Sequence, residues 1–315
     1  MEIQRNLYLE QLKVRKHNGL IKVITGVRRC GKSYLLLKIF RNDLIDAGVP
    51  EDHIIMVMLD DISYDWLREP HVLYDYIKNQ LKDSAQYYVL LDEIQYVPDF
   101  VDVLNGLLHI DNVDAYVTGS NSKFLSSDIL TEFRGRGDEV RIYPLSFAEF
   151  FSVYDGSAEE AWDDYMVYGG MPQITIMKDE EQKSTYLIRL FQETYLKDIV
   201  ERNQIKNKDD LDELVNILAS SIGSLTNPTK LERTFKSIKH STVTAKTIKA
   251  YIDALRDAFL VVGAQRYDIK GKRYINTPIK YYYVDTGLRN ARLNFRQIEE
   301  THLMENIIFN ELCIR

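Results

Sequence analysis

The sequence "GVRRCGKS" spans Gly26 to Ser33, between the apolar run "LIKVIT" and the amphipathic stretch "YLLLKIFRNDLIDAG". It matches the pattern G-x-x-x-x-G-K-[ST], in which main-chain N–H groups of a tight turn converge on phosphate oxygens. Gly26 and Gly31 permit that backbone path, and a following helix adds the positive end of its dipole. A strand leading in and a helix leading out favour a phosphate-binding loop over a basic turn without a ligand.

We predict that this loop binds ATP together with Mg²⁺. Lys32 would neutralise the β- and γ-phosphates, and the Ser33 hydroxyl would bind the metal ion. Cys30 occupies a variable position of the pattern and receives no individual role. The predicted nucleotide-binding residues of the loop are Gly26, Val27, Arg28, Arg29, Cys30, Gly31, Lys32, Ser33 and Tyr34.

A second candidate segment is "YVLLDE" (88–93), an apolar run that ends in two carboxylates. Ligands of parallel α/β sheets bind at the carboxyl ends of the strands, where Asp92 and Glu93 would lie. We predict that Asp92 binds Mg²⁺ through its water shell and that Glu93 orients or deprotonates the attacking water. The alternatives are a solvated strand end and, for Glu93, a structural hydrogen bond.

The segment "AYVTGSNS" (115–122) ends in four polar side chains, those of Thr118, Ser120, Asn121 and Ser122. One of them could act as a polar sensor between the γ-phosphate and Glu93, and Asn121 is the favoured candidate. The alternative is a helix N-cap, a position that serine and asparagine often occupy.

Two arginines in "EFRGRGDE" (132–139) stand next to glycines in a predicted loop. An arginine delivered to the γ-phosphate, often by a neighbouring subunit, accelerates hydrolysis by several orders of magnitude. Arg134 and Arg136 are therefore candidates for such a finger, with an exposed loop charge as the alternative.

The pattern of apolar runs predicts the fold class. Apolar runs at 20–25, 53–60, 87–93 and 114–120 alternate with amphipathic stretches. The segment "DEVRIYPLS" adds one more strand, which is either covered on both faces or at an edge of the sheet. This alternation predicts an α/β fold with a parallel sheet covered by helices, ending near Phe151. The rest of the 315-residue chain is predicted to be mainly helical, with a β-rich patch near 259–284.

Composition limits the cellular context and the partners. The start of the chain lacks an apolar segment of signal-peptide length, and no stretch is apolar over the roughly 18 residues of a membrane span. Two cysteines without metal-ligand spacing are consistent with a reducing compartment. These features predict a cytoplasmic protein without a membrane partner.

The region from Thr226 to Arg289 is basic, with 13 lysines and arginines against 5 aspartates and glutamates, although the whole chain has a net charge of −7. Two predicted helices, "NPTKLERTFKSI" and "TVTAKTIKAYIDALRDAFL", are joined by a polar turn and followed by two predicted strands, a pattern typical of a winged helix. Thr244 is the predicted N-cap of the second helix. The residues predicted to contact DNA are Lys246, Lys249, Lys270, Lys272 and Arg273. Scaffolding by the helices, with merely solvated charges, is the alternative.

Five segments occur together in order: "GVRRCGKS", "LLDEIQ", "VTGSNS", "GRG…PLSFAEF" (135–150) and "VYGGMP" (167–172). With them the chain resembles a prokaryotic family of AAA-type ATP-binding proteins over nearly its whole length. In that family the ATPase domain precedes a domain of unknown function that contains a winged helix and, further on, a restriction-endonuclease-like fold. Family members continue past "ENIIFNEL", so Glu305 and Glu311 are expected at most to begin that tail, and no nuclease activity is assigned.

The resemblance implies a role for each matching residue. Lys32 and Ser33 would contact the phosphates and metal, Asp92 the metal, and Glu93 would be the catalytic acid. Arg136 becomes the favoured finger, which in trans would require a homo-oligomer. Gly170 and Pro172 of "YGGMP" would lie near the adenine, with a plain loop between helices as the alternative.

The expected organisation has four parts. A P-loop AAA-type ATPase domain spans 1–151, a helical lid or linker 152–207, a basic winged-helix domain 208–290, and the start of a further domain 291–315. The leading functional hypothesis is Mg²⁺-dependent ATP hydrolysis that moves the winged helix, with DNA as a candidate partner. The alternatives are a slow nucleotide-gated signalling switch that acts through protein contacts and a DNA-binding regulator with a vestigial P-loop.

Overall fold

The computed structural model describes residues 3–119, 135–239, 242–265 and 278–315. The chain divides into two compact units, Met1–Ile142 and Tyr143–Arg315. Within the described residues, no helix combines the length and the apolar character that crossing a membrane requires.

The first unit alternates helices with strands. Its elements are α1 (Asn6–Val14), β1 (Ile21–Gly26), α2 (Lys32–Tyr34), a π-helical segment (Leu35–Phe40), α3 (Arg41–Asp46), β2 (Ile54–Met58), α4 (Pro70–Gln80), β3 (Tyr87–Asp92), α5 (Phe100–Leu107), β4 (Val113–Thr118) and β5 (Gly137–Ile142). The predicted strands and helices of this part of the sequence are all present. The α/β fold class is thereby confirmed.

The five strands form one parallel sheet in the order β2-β3-β4-β1-β5. Every residue of β1 and β3 is buried, as their uninterrupted apolar runs predicted for strands covered on both faces. The core between the sheet and the helices is built mainly from branched aliphatic side chains such as Val57, Val89 and Leu104.

A buried ion pair joins the two central strands at the amino edge of the sheet. Lys22 of β1 pairs with Asp114 of β4, and the Tyr116 hydroxyl donates to the same carboxylate at 2.9 Å. Both charges are almost fully buried, so each requires the other to offset the loss of hydration. This pairing accounts for a lysine inside an otherwise apolar strand.

The strand register determines which residues meet at the opposite, carboxyl edge. Leu91 of β3 lies beside Val117 of β4, and Ile24 of β1 lies beside Thr118. The residues that follow in each strand therefore converge: Gly26 at the end of β1, Asp92 at the end of β3 and Thr118 at the end of β4.

The second unit is mainly helical. Its elements are α6 (Phe147–Phe151), α7 (Ala158–Tyr168), α8 (Glu180–Arg189), a π-helical segment (Leu190–Leu196), α9 (Lys197–Arg202), α10 (Lys208–Ser220), β6 (Leu225–Thr226), α11 (Pro228–Lys239), α12 (Ala245–Asp257), β7 (Val261–Gln265), β8 (Ile279–Tyr283), α13 (Thr286–Arg292) and α14 (Glu300–Ile314). The three strands form an antiparallel sheet in the order β6-β8-β7.

Helix α12 has the start and the buried face that its sequence predicts. The Thr244 hydroxyl accepts from the Thr247 N–H at 3.3 Å and caps the helix. The apolar residues at helical spacing, Ile248, Ile252 and Leu255, are buried. The three tyrosines at 281–283 are buried in the sheet, as expected of strand core rather than of a stacking surface.

Asp285 connects α13 to the loop that follows α7. Its carboxylate accepts from the Gly170 N–H at 2.7 Å and from the Leu288 N–H at 2.9 Å. Complete burial raises the pKa of Asp285 to about 6, against the opposing effect of these N–H donors. Gly169 adopts a φ of 72°, and a β-carbon there would overlap the Asp285 carboxylate. The glycines of "YGGMP" therefore permit a close approach within the second unit.

Replacing Gly287 with alanine tests this packing. Helix propensity alone predicts that Gly287→Ala gains about 0.5–1 kcal/mol of stability, because the position lies in α13. The new β-carbon would instead overlap the Tyr168 carbonyl oxygen. We expect the free energy of unfolding to fall by about 1–3 kcal/mol, measured by urea unfolding. Gly106→Ala in α5 is the control for a methyl group added to a helical glycine, because its β-carbon would meet the Tyr74 side chain rather than main chain. A more stable Gly287→Ala variant would contradict the packing.

Candidate functional site

The loop between β1 and α2 contains three residues with positive φ. Gly26 has a φ of 145° and Gly31 a φ of 100°, and Arg29 between them adopts a φ of 65°. A β-carbon on Gly26 would overlap the Ile142 carbonyl oxygen, so this position excludes larger residues. Gly31 is the residue before α2, and its left-handed conformation turns the chain from the loop into the helix.

Lys32 is buried within the loop to which it belongs. Its ammonium group donates to the carbonyl oxygens of Gly26 and Val27, each at 3.1 Å. Among the described residues its hydrogen bonds go to neutral carbonyl oxygens, so its charge has no compensating anion there, and an anion in the loop would neutralise it. The geometry of Lys32 therefore fits a phosphate.

Two other predicted loop residues have contacts away from the centre of the loop. The Cys30 side chain is buried, and its sulfur lies 3.7 Å from the Ile142 carbonyl oxygen. The Cys30 carbonyl oxygen accepts from Arg5 at 3.1 Å, which ties the segment before α1 to the loop. Tyr34 is exposed, with the Lys38 ammonium 5.2 Å from its ring centre. The Cys30 side chain therefore packs against β5 rather than into the loop, and a nucleotide contact of Tyr34 remains a prediction.

Two hydroxyl groups on different elements interact with the Asp92 carboxylate. Thr118, at the end of β4, donates a hydrogen bond to it, and the Ser33 hydroxyl, on α2, faces the same carboxylate. Burial raises the pKa of Asp92, and the two hydroxyl groups oppose that rise without cancelling it. A cation at this carboxylate would favour its charged form.

Glu93 begins the turn after β3 in a left-handed conformation, with a φ of 53°. Its N–H donates to the Thr118 hydroxyl oxygen at 2.9 Å, and its carboxylate accepts from the Gln95 amide. Thr118 therefore contacts both neighbouring acids. The sequence placed Thr118 among four sensor candidates but favoured Asn121, which lies outside the described residues. The strand register is the signal that identifies Thr118.

The oxygen atoms at this edge fit a magnesium ion. In the parts of the chain that the structure describes, no three His, Cys, Asp or Glu side chains cluster closely enough to hold a metal ion. The Ser33 hydroxyl and the Asp92 carboxylate instead provide two hard oxygen groups beside the phosphate loop. Magnesium is typically bound by one or two carboxylates together with water and substrate phosphates. The residues present therefore fit Mg²⁺ bound with a nucleotide.

Arg136 lies at the other edge of the sheet. It directly precedes β5, and its carbonyl oxygen accepts from the Ile21 N–H at 2.9 Å, where β1 begins. The loop begins at the far end of the same strand, roughly 17–20 Å away at 3.3 Å per residue. The exposed guanidinium donates to Asn105 at 3.1 Å. The structure therefore does not bring Arg136 to the loop of its own chain, and Arg134 lies outside the described residues.

Gly170 and Pro172 lie in the second unit. The Gly170 carbonyl oxygen accepts from the Leu145 N–H at 2.7 Å, and a β-carbon on Gly170 would overlap the Leu145 carbonyl oxygen. Pro172 begins a short 3₁₀ segment, Pro172–Ile176. These contacts within the second unit explain why position 170 is a glycine. Its placement near the adenine remains a prediction.

The predicted DNA-contacting residues divide into two groups. Lys246 and Lys249 are exposed on the first turns of α12. The other three, Lys270, Lys272 and Arg273, lie outside the described residues.

Comparison with known families identifies the class of protein. An AAA domain family matches residues 18–151, and a domain of unknown function (DUF8612) matches residues 159–299. An uncharacterised protein of Haemophilus influenzae is 36% identical over 99% of this chain and 79% of its own length. The chain therefore belongs to the same protein family, which joins an AAA domain to this domain of unknown function.

A more distant relative extends the comparison. An uncharacterised protein of Methanocaldococcus jannaschii is 28% identical to this chain. The match covers 93% of this chain and 66% of that protein. The AAA part of the resemblance seen in the sequence is confirmed. The winged helix and the endonuclease-like tail remain predictions.

Two solved structures are weakly similar to this chain. One is the Aeropyrum pernix Orc1 protein in complex with DNA, 14% identical, with 99% of this chain and 95% of that chain covered at a TM-score of 0.36. The other is AMPPCP-bound DnaA from Aquifex aeolicus, 14% identical, with 96% and 92% covered at a TM-score of 0.38. TM-scores this low do not establish a common fold, so the fold assignment rests on the sheet order and the loop.

Thr118→Val tests the link between the two acids. The substitution keeps the shape of the side chain but leaves the Glu93 N–H without its acceptor and Asp92 without one donor. We expect a loss of about 2–4 kcal/mol in the free energy of unfolding, because each unmade buried hydrogen bond costs about 1–2 kcal/mol. Thr118→Ser retains the hydroxyl group and should lose less than half as much. Wild-type stability in Thr118→Val, or a loss no larger than that of Thr118→Ser, measured by urea unfolding, would contradict the hydroxyl link.

Proposed function

We propose that the protein is an Mg²⁺-dependent ATPase whose nucleotide state moves a basic winged-helix module, with DNA as its partner. One observation carries the proposal: the Ser33 and Thr118 hydroxyls meet on the Asp92 carboxylate beside the phosphate-type loop, with Glu93 next in the chain. Groups that could bind phosphate, bind a metal ion and activate water thereby lie at one sheet edge.

The chain's own groups perform the following steps. Main-chain N–H groups of the loop and the Lys32 ammonium bind the phosphate oxygens. Ser33 and Asp92 would hold the magnesium ion, which would supply positive charge against the β- and γ-phosphates. Glu93 accepts a proton from the attacking water as the water oxygen bonds to the γ-phosphorus. The bond from phosphorus to the bridging oxygen breaks, and its electron pair leaves with ADP.

The order of elements in the second unit supports a winged helix. Helix α10, strand β6, helices α11 and α12 and strands β7 and β8 follow one another, and β8 lies between β6 and β7. Helix α12 would be the recognition helix, because it carries exposed Lys246 and Lys249 on a basic region. Lysines of this kind contact phosphates and supply affinity rather than sequence preference.

A neighbouring copy of the chain would supply the arginine finger. Arg136 is exposed, and its place at the amino edge of the sheet separates it from the loop of its own chain. Delivery in trans would make hydrolysis depend on protein concentration. This part of the proposal requires a homo-oligomer.

ATP binding and turnover test the ATPase proposal. Calorimetry with ATP and Mg²⁺ should show binding by the wild type and at least a tenfold weaker affinity for Lys32→Ala, because a charge partner of the phosphates is lost. Glu93→Gln should bind ATP normally and hydrolyse it about 10²–10⁴-fold more slowly. The absence of ATP binding by folded wild-type protein would refute the proposal. Tight binding with negligible wild-type turnover would instead favour the nucleotide-gated switch.

DNA binding is tested with charge reversal on α12. The double variant Lys246→Glu and Lys249→Glu should bind duplex DNA at least tenfold more weakly in fluorescence anisotropy. The plot of log affinity against log salt should become less steep, its slope decreasing in magnitude by about 2, because two phosphate contacts are lost. The control reverses two exposed lysines outside the basic region, Lys178 and Lys206, and should retain most of the affinity. Equal losses in both double variants would mean that only net charge matters.

A further inference from the structure

Gln95 lies two residues beyond Glu93, in the 3₁₀ segment Ile94–Tyr96 that follows β3. Its side-chain nitrogen donates to the Glu93 carboxylate. Its side-chain oxygen is buried, and no donor among the described residues lies within hydrogen-bonding distance of it. The sequence contains Gln95 in the segment "LLDEIQ", for which no role beyond the two acids was predicted.

The carboxylate determines how the Gln95 amide is oriented. An ionised carboxylate only accepts hydrogen bonds, so the amide nitrogen has to be the atom that faces Glu93. The amide oxygen shares a carbon with that nitrogen and therefore also lies close to the carboxylate. A buried acceptor without a donor carries a desolvation cost, and such groups are rare in folded proteins. A donor that binds beside Glu93 would remove this cost.

We propose that Gln95 positions the attacking water for Glu93, an inference that rests on the proposed ATPase function. The water donates one hydrogen to the Glu93 carboxylate and the other to the Gln95 amide oxygen. These two hydrogen bonds leave a lone pair of the water oxygen directed at the γ-phosphorus. During attack the proton on the first hydrogen bond passes to Glu93, while the hydrogen bond to Gln95 is retained.

The same amide also restrains the Glu93 side chain. The main chain of Glu93 is held by the Thr118 hydroxyl, at 2.9 Å from its N–H, whereas its carboxylate is held by the Gln95 nitrogen. One side chain therefore holds both the base and the molecule that the base deprotonates. By this account Gln95 orients the attacking water and its base, and it takes up no proton itself.

Gln95→Met tests the inference in the full-length chain, because methionine has a similar length and lacks both amide groups. We expect kcat for ATP hydrolysis to fall by about 10–100-fold, with the KM for ATP within about twofold of wild type. The melting temperature should not fall, since a buried acceptor without a donor has been removed. The control is Gln86→Met at the amino edge of the same sheet, where the amide donates to the carbonyl oxygens of Tyr87 and Asn112. Its kcat should equal that of the wild type.

A double-mutant cycle separates positioning from a general structural effect. If Gln95 and Glu93 act on the same water, the double variant with Glu93→Gln should be no slower than Glu93→Gln alone, within about threefold. Additive losses, or a wild-type kcat in Gln95→Met, would overturn the inference and leave the ATPase proposal intact. The absence of ATP binding by the wild type would refute the ATPase proposal itself.

Discussion

The Asp92 carboxylate is the point on which the candidate site depends. It ends β3, accepts a hydrogen bond from Thr118 at the end of β4, and faces the Ser33 hydroxyl on the helix that follows the loop. Three segments far apart in the sequence are thereby fixed around one buried charge. Burial raises the pKa of Asp92, which means that the surroundings disfavour the charged form of this carboxyl group. Groups with perturbed pKa values concentrate at functional sites.

The second unit is organised around a comparable buried carboxylate. Asp285 caps α13 and accepts from the Gly170 N–H, and glycines at the contact allow the two backbones to approach closely. In each unit a buried acid is compensated by donors from other elements rather than by a cation alone. The difference lies in the donors: hydroxyl groups beside a phosphate-type loop at Asp92, and main-chain N–H groups at Asp285. Only the first set leaves oxygen atoms suited to a metal ion.

The sequence predicted much of the fold because its signals are local. The loop pattern, the covered strands and the cap at Thr244 each depend on residues close in the chain, and each predicted element is present. The site was less predictable where it depends on neighbours in space. Thr118 was one candidate among four until the pairing of β3 with β4 placed it against both acids. Nothing in the sequence separated Arg136 from the loop of its own chain until the parallel register put it at the amino edge.

The sequence by itself determined the class of the first unit and the identity of the phosphate-type loop, because glycine spacing and apolar periodicity are imposed by backbone geometry. Only the tertiary structure decided the strand order, the bridge from Thr118 to the two acids, and the contact of Gln95 with Glu93. Those features follow from which strands lie side by side, and strand pairing depends on packing of the whole sheet rather than on any short stretch of the chain.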